Sequence, residues 1–376
     1  MNIILSILAI LAIPLFLYAI DVFVSLSSRK KSYSFRDTHQ HDFTILIPIY
    51  GKIDYLENAE YLAQYGSQVM LLTTGNESKE FMRELKKVAK KYSFQLFIAD
   101  WPSVQNLKKR STSGTIRDRL IRDALVQVKT KYVVPLDADS VTIQPISIAV
   151  GELAAEKADL ASVRLIASNG DKNWLTGLQK LEYRISMDMR YVVPWLVSGA
   201  CQVAKTAVLR DIMNKHSLFF QGNDVEIGLL AKRLGFKIVH IPFEVHTALP
   251  ETLKPWFRQR LAWAGGEFRL FIINFRYIIQ HPFFWVYGAI LVIAAFPLRY
   301  IAISSHSATL FVILALYIVL TFVIHWRYKN VWITLMPVYT LFVSLILVPL
   351  GIVWYFYMAI KDKNIGVIST KRTIRE

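Results

Sequence analysis

Two carboxylates, Asp137 and Asp139, stand one residue apart at the end of the apolar run Val133-Val134-Pro135-Leu136. An unpaired carboxylate buried there would cost several kcal/mol, so a cation or solvent must compensate. A hard divalent ion suits this pair, because Mg²⁺ or Mn²⁺ takes oxygen ligands and bridges one or two carboxylates to nucleotide phosphates. A polar turn closing a strand would read the same way, and the Asp-x-Asp spacing alone leaves both readings open. Arg117, in Thr115-Ile116-Arg117-Asp118, opens a helical stretch, where guanidinium and helix amides can converge on one phosphate. Its neighbours Lys108, Lys109, Arg110, Arg119 and Arg122 suit a solvated charged face equally well. Asp224 precedes Val225 to Leu234, where a carboxylate can cap a helix or take a proton from a nucleophile.

Elements of two periods must position these groups. Short apolar runs predict strands at Phe43 to Ile49, Gln68 to Thr73, Phe94 to Ala99, Tyr132 to Leu136, Leu160 to Ile166 and Phe236 to Ile241, and amphipathic stretches predict helices at Glu77 to Tyr92 and Thr115 to Val128. The alternation reads as an α/β domain with a mostly parallel sheet. Ligands of such sheets bind at the carboxyl ends of the strands, which is where Asp137, Asp139 and Tyr50 fall.

The chain has 376 residues, 54% hydrophobic and 19% charged, against about 25% charged in ordinary soluble domains. Forty-four Lys and Arg against 28 Asp and Glu give a net charge of +16, which calls for anionic partners. Cys201 is the single cysteine, so an intramolecular disulfide and a thiolate metal cluster are both excluded. Four apolar runs approach the roughly 20 residues that cross a bilayer: Asn2 to Leu26, Phe283 to Ile303, Ala308 to Trp326 and Val331 to Met358. Buried helices of a soluble core would normally show a polar face. Arg29, Lys30 and Lys31 follow the first run, which reads as a signal anchor with the chain after it in the cytosol. Three further spans would put the tail, with Lys361, Lys363, Lys371, Arg372 and Arg375, on the far side, against the positive-inside rule. Either one segment, near Pro297 or Pro349-Gly351, fails to span, or the tail is an exception.

Four stretches carry a resemblance: Gln221-Gly222-Asn223-Asp224-Val225-Glu226-Ile227-Gly228, Leu234-Gly235-Phe236-Lys237-Ile238-Val239, Thr247-Ala248-Leu249-Pro250-Glu251-Thr252-Leu253-Lys254, and Arg258-Gln259-Arg260-Leu261-Ala262-Trp263-Ala264-Gly265. From about Phe43 to Leu270 the chain resembles the membrane-embedded family 2 glycosyltransferases, whose processive members include cellulose, chitin, hyaluronan and poly-N-acetylglucosamine synthases. The resemblance implies a GT-A-like nucleotide-sugar-binding domain with Asp137 near the nucleotide and Asp139 on the metal of the donor diphosphate. It implies Asp224 as general base, accepting the proton of a sugar hydroxyl as the anomeric carbon is attacked. Gln259 and Trp263 fall on a Gln-x-x-Arg-Trp platform for donor and acceptor, and Ala262 replaces its arginine, for which Arg258 or Arg260 could substitute. An interfacial amphipathic helix is the plainer reading of that stretch. Tyr50 matches a residue stacked on the base, although a core tyrosine at a strand end reads the same. Arg117 matches an element reaching the diphosphate, and Ser198 and Gly199 a small-residue acceptor loop that a plain turn would also explain. Family members carry an Asp after the second strand, where this chain has Thr73-Thr74-Gly75-Asn76-Glu77.

The resemblance thus implies a transmembrane anchor at 1–28, a cytosolic glycosyltransferase domain at 41–250, interfacial helices at 251–281, transmembrane helices at 282–360 and a basic tail at 361–376. It implies an inverting enzyme of the cell membrane that uses Mg²⁺ or Mn²⁺ and a nucleotide sugar, UDP-linked, to extend a β-linked polysaccharide while passing it through the membrane. Single transfer to a lipid acceptor is the alternative, and a catalytically idle nucleotide-sugar-binding subunit a further one. Nucleic acid is not an expected partner, since membrane lipids and a diphosphate substrate account for the charge.

Overall fold

A computed structural model of the chain describes residues 22–28, 33–36, 38–101, 116–218, 222–275, 307–328 and 330–361. The expected anchor before residue 22, the expected span at Phe283 to Ile303 and the basic tail past 361 lie outside the described residues.

Strand β1 (Phe43–Pro48) is buried along its whole length, as is β2 (Val69–Thr74). Side chains of a strand alternate between faces, and β1 feeds two cores. Phe43, Ile45 and Ile47 pack with Phe81 and Leu85 of α1 (Lys79–Tyr92) and Val150 and Leu153 of α3 (Ile146–Ala155). Leu46 faces the other way, into a cluster with Leu120 and Ile121 of α2 (Ile116–Ala124), Leu209 and Ile212 of α5 (Thr206–Lys215) and Ile227 of α6 (Asn223–Arg233). Truncating so enclosed a leucine costs about 2–5 kcal/mol. Helix α1 starts where the Ser78 side chain accepts from the Phe81 N–H, and it buries Phe81, Leu85 and Ala89, four residues apart on one face.

The remaining strands are β3 (Gln95–Ala99), β4 (Tyr132–Pro135), β5 (Val141–Thr142), β6 (Leu160–Ala167), β7 (Gln202–Lys205) and β8 (Ile238–Thr247). They form one sheet in the order β3-β2-β1-β4-β7-β6-β8-β5. The mostly parallel sheet expected holds from β3 to β4. Beyond that it needs correction, because the sheet is mixed: β7 runs antiparallel to both β4 and β6, and β5 antiparallel to β8, while β6 and β8 are parallel. Strands β5 and β7 have two and four residues, too short to display a period of two in sequence.

Between β6 and β7 runs α4 (Trp174–Met189), started by a capping box of Asn173 and Thr176, and after β8 comes α7 (Leu253–Ile273). Three helices follow: α8 (Ser307–His325), α9 (Met336–Phe342) and α10 (Val348–Lys361). Among the described residues no helix is long and apolar enough to cross a membrane. Helix α8 covers the expected span Ala308 to Trp326 except for its last residue, which falls in a 3₁₀ turn. The expected span Val331 to Met358 breaks into a 3₁₀ turn (Val331–Leu335), α9, a π turn (Val343–Leu347) and α10. Helix α7 packs one face against the helices that follow it and leaves Leu253, Lys254, Arg258 and Trp263 exposed. Trp256 is buried against the rings of Tyr339 and Phe342, at 5.7 and 6.1 Å between centroids. Gly351 lets α10 close on α7, since a Cβ there would lie 2.6 Å from the Cβ of Ala264.

Candidate active site

The Asp137-Ala138-Asp139 turn leaves β4 beside the carboxyl end of β1 and is held from below by Asn58, a residue the sequence reading passed over. Asn58 is buried, and its amide donates to the carbonyls of Asp137 (3.0 Å) and Ser140 (2.7 Å). The backbone N–H groups of Glu57 and Asn58 both donate to the Ala138 carbonyl, and the Asp137 N–H donates to Ala200. With the backbone so tied, both carboxylates remain partly accessible. Asp139 Oδ1 accepts from the Ser140 hydroxyl at 3.2 Å.

From Asp137 a continuous polar chain reaches Asp224. Arg117 Nε donates to Asp137 Oδ1 at 2.8 Å, Nη1 to Asp118 Oδ1 at 2.7 Å, and Nη2 to the Gly199 carbonyl. The Gly199 N–H in turn donates to Asp224 Oδ2 at 2.8 Å. Burial by itself would lower the Arg117 guanidinium, but Asp137 and Asp118 more than offset it and hold the group firmly charged. For Asp224 burial wins: it raises the carboxyl above the ordinary aspartate range, against the pull of the Val225 N–H, Arg117 and the Gly199 N–H. Asp224 is not the helix cap. Gly222 holds that position, and Asp224 lies in the first turn of α6 with its Oδ2 turned to Gly199.

Ser198 lies buried, its hydroxyl accepting from Arg190 Nη2 at 3.3 Å, so Gly199 is the more accessible member of the expected acceptor loop. Arg190 also donates to the carbonyl and hydroxyl of Ser186, and burial lowers its guanidinium to about 10. Burial, reinforced by Asp137, pushes the Cys201 thiol up, which suits a packing role.

On α7, Gln259 is buried and its Oε1 accepts from Arg260 at 3.1 Å. Arg260 is buried as well. It donates to Tyr339 and Glu182, and its guanidinium lies 4.2 Å from the centre of the Trp263 ring. Trp263 keeps 37% of its surface exposed, enough to offer a ring face to a ligand. Arg260 is therefore committed to Glu182 and braces Gln259 and Trp263, whereas Arg258 is exposed. Neither carries the cation missing at Ala262 in a visibly equivalent way. Asp118 joins this site by pairing with its neighbour Arg117, and Glu182 by an ion pair with Arg260 that no short sequence pattern marks.

Tyr50, after β1, is half-buried against the cluster of Leu46 and Leu72. Where an Asp was expected after β2, Glu77 accepts from the Thr74 hydroxyl and from the Gly51 N–H, both at 2.9 Å, and so ties that loop to the one bearing Tyr50. Among the described residues no group of three or more His, Cys, Asp or Glu could hold a metal alone. A nucleotide diphosphate supplies most oxygens in sites of this kind, so a partly exposed Asp139 beside Asp137 fits Mg²⁺ or Mn²⁺ brought with the substrate.

Residues 132–360 match the family described as glycosyl transferase family group 2. The chain belongs to that family. Its fold is α/β and GT-A-like. The mannosyltransferase PcManGT of Pyrobaculum calidifontis, solved with GDP-Man and Mn²⁺, shares this fold with a TM-score of 0.57 at 15% identity, over 93% of this chain and 97% of that one. An N-acetylglucosaminyltransferase of Rhizobium meliloti (strain 1021) is 26% identical over 161 residues, 39% of this chain and 38% of the relative. Another, of Bradyrhizobium diazoefficiens, is 28% identical over 120 residues, 28% of this chain and 25% of the relative. The chain thus spans well under half the length of these curated relatives.

Proposed function

We propose that the enzyme transfers a sugar, with inversion, from a UDP-linked nucleotide sugar to a hydroxyl of a growing β-linked polysaccharide. The observation that carries this reading is the polar chain Asp137–Arg117–Gly199–Asp224, which links the expected donor-binding turn to the expected base. Asp224 takes the proton of the attacking hydroxyl, and its raised carboxyl makes it a stronger base than an ordinary aspartate. Asp137 lies near the nucleotide, Asp139 would hold the divalent ion of the donor diphosphate, Tyr50 lies along the base, and Gln259 and Trp263 line the sugar, with Ser198 and Gly199 at the acceptor. A divalent ion on Asp139 would neutralise charge on the leaving diphosphate. The N-acetylglucosaminyltransferase relatives support N-acetylglucosamine as the transferred sugar.

The reading extends to the cell membrane, with several spans and the catalytic domain in the cytosol. Its support is the exposed apolar side chains on α8 and α10, where Phe311 is 72%, Val353 65% and Ile360 80% exposed, which water would not favour. The same surface keeps a second reading alive, in which a lipid acceptor takes a single sugar. The test is to incubate purified full-length chain with a panel of nucleotide sugars and Mg²⁺ or Mn²⁺ and to size the product. UDP-N-acetylglucosamine should be consumed and a polymer formed; no consumption of any donor would overturn the proposal.

A further inference from the structure

Glu267 lies one turn beyond Trp263 on α7, so Gln259, Trp263 and Glu267 recur every four residues and share one helix face. Its neighbour Gly266 packs against Gly222, the residue that starts α6: a Cβ on Gly222 would lie 3.2 Å from the Gly266 carbonyl. Gly222 itself has φ 84, a left-handed conformation that suits glycine. This contact brings the Glu267 end of α7 to the turn that carries Asp224. Glu267 is exposed to solvent, and among the described residues it makes no hydrogen bond or ion pair. Its carboxyl is nevertheless crowded. Desolvation by surrounding protein, with Glu182 and Asp224 nearby, pushes it up to about 7 against the pull of Arg260. An exposed glutamate on an ordinary helix face would meet only water.

We propose that Glu267 binds the acceptor, taking a hydrogen bond from a second hydroxyl of a neutral sugar whose reacting hydroxyl is held by Asp224, and that it selects against anionic acceptors. The proposal rests on the glycosyl transfer proposed above and names its acceptor class. A sugar offers hydroxyl donors, and ionised or half-ionised carboxylates are acceptors for them. A lipid phosphate would meet Asp224, Glu267 and Glu182 together, while the nearby Arg260 is already paired with Glu182. Such a phosphate would also need no base, leaving Asp224 without a task.

The experiment uses the full chain with UDP-N-acetylglucosamine and Mn²⁺ and compares two acceptors, a β-linked N-acetylglucosamine disaccharide and a polyprenyl phosphate. Wild type should glycosylate the disaccharide and leave the polyprenyl phosphate unreacted. Glu267→Ala should raise the KM for the disaccharide about tenfold or more while the donor KM shifts less than twofold. Glu267→Gln, which keeps the shape and one accepting oxygen, should recover part of that loss. A disaccharide KM within twofold of wild type in Glu267→Ala, or efficient transfer to polyprenyl phosphate, overturns the assignment. If wild type consumes no nucleotide sugar with either acceptor, the transfer reading itself fails, and this is visible before any variant is made.

Discussion

Arg117 and Asp224 grip the same residue through its two flanking peptide groups, Arg117 donating to the Gly199 carbonyl and Asp224 accepting from the Gly199 N–H. Gly199 is therefore the point at which the expected donor and acceptor halves of the site are mechanically joined. Arg117 has already engaged Nε, Nη1 and Nη2 with Asp137, Asp118 and Gly199. It acts first as a brace of the site, and a phosphate contact would come from its remaining N–H groups.

Removing that brace should be costly to the fold as well as to turnover. Asp118 is buried, and Arg117→Ala takes away its cation, which costs about 3 kcal/mol or more when a buried pair is broken. Denaturant unfolding of the variant should show a lowered midpoint of that size. Arg117→Lys should recover part of the charge but not the fork, and should remain slow in transfer.

Asn58→Ala should loosen the Asp137–Asp139 turn. The loss frees two carbonyls from their side-chain donor, so about 1–3 kcal/mol of stability should disappear. A larger relative effect is expected on donor binding, read by titrating UDP against the variant. Unchanged UDP affinity would show that the turn needs no such support.

Much of this was legible in the sequence, for reasons that can be named. The strands β1, β2, β4 and β6 are apolar runs covered on both faces, and runs of that kind announce themselves within a residue or two. Helix α1 announced itself through Phe81, Leu85 and Ala89. Strands β5 and β7 did not, because pairing with distant partners, and not their own pattern, makes them strands. Among site residues, Asp137, Asp139 and Asp224 were found through their motifs, and the structure brings Asp137 and Asp224 together through Arg117 and Gly199. Asn58 and Glu182 were missed because each acts through a contact about 80 residues away in sequence, and Asp118 and Arg190 because their partners, though near in sequence, fall in no recognisable motif. Arg260 was weighed only as a substitute cation; its pairing with Glu182, 78 residues away in sequence, is what the sequence could not show.

Asp139→Asn should abolish the metal dependence of donor binding. It keeps the shape and removes the charge that would hold a divalent ion against the diphosphate. Wild type should lose transfer on chelation and regain it with Mn²⁺ or Mg²⁺. Transfer at the wild-type rate by Asp139→Asn, indifferent to chelator, would remove the metal from the account.

Product size separates the polymer reading from the single-transfer reading. With enzyme in excess over acceptor and short reaction times, a processive enzyme leaves a few long chains beside unreacted acceptor. A single-transfer enzyme yields one short product, soluble in organic solvent when the acceptor is a lipid, however long the reaction runs. Extraction of all radiolabelled sugar as a one-sugar glycolipid would end the polysaccharide reading.

The most direct test of the central claim is the activity and product stereochemistry of Asp224→Asn beside wild type, with UDP-N-acetylglucosamine as donor. Wild type should give a β-linked product from the α-linked donor. Its rate should fall at acidic pH through a limb displaced above the ordinary aspartate value, because only the ionised Asp224 can take the proton. The variant should bind UDP nearly as wild type does while transfer drops by about 10² to 10⁴, the range of positioned proton transfer. An α-linked wild-type product, or transfer by Asp224→Asn at an undiminished rate, would contradict the mechanism.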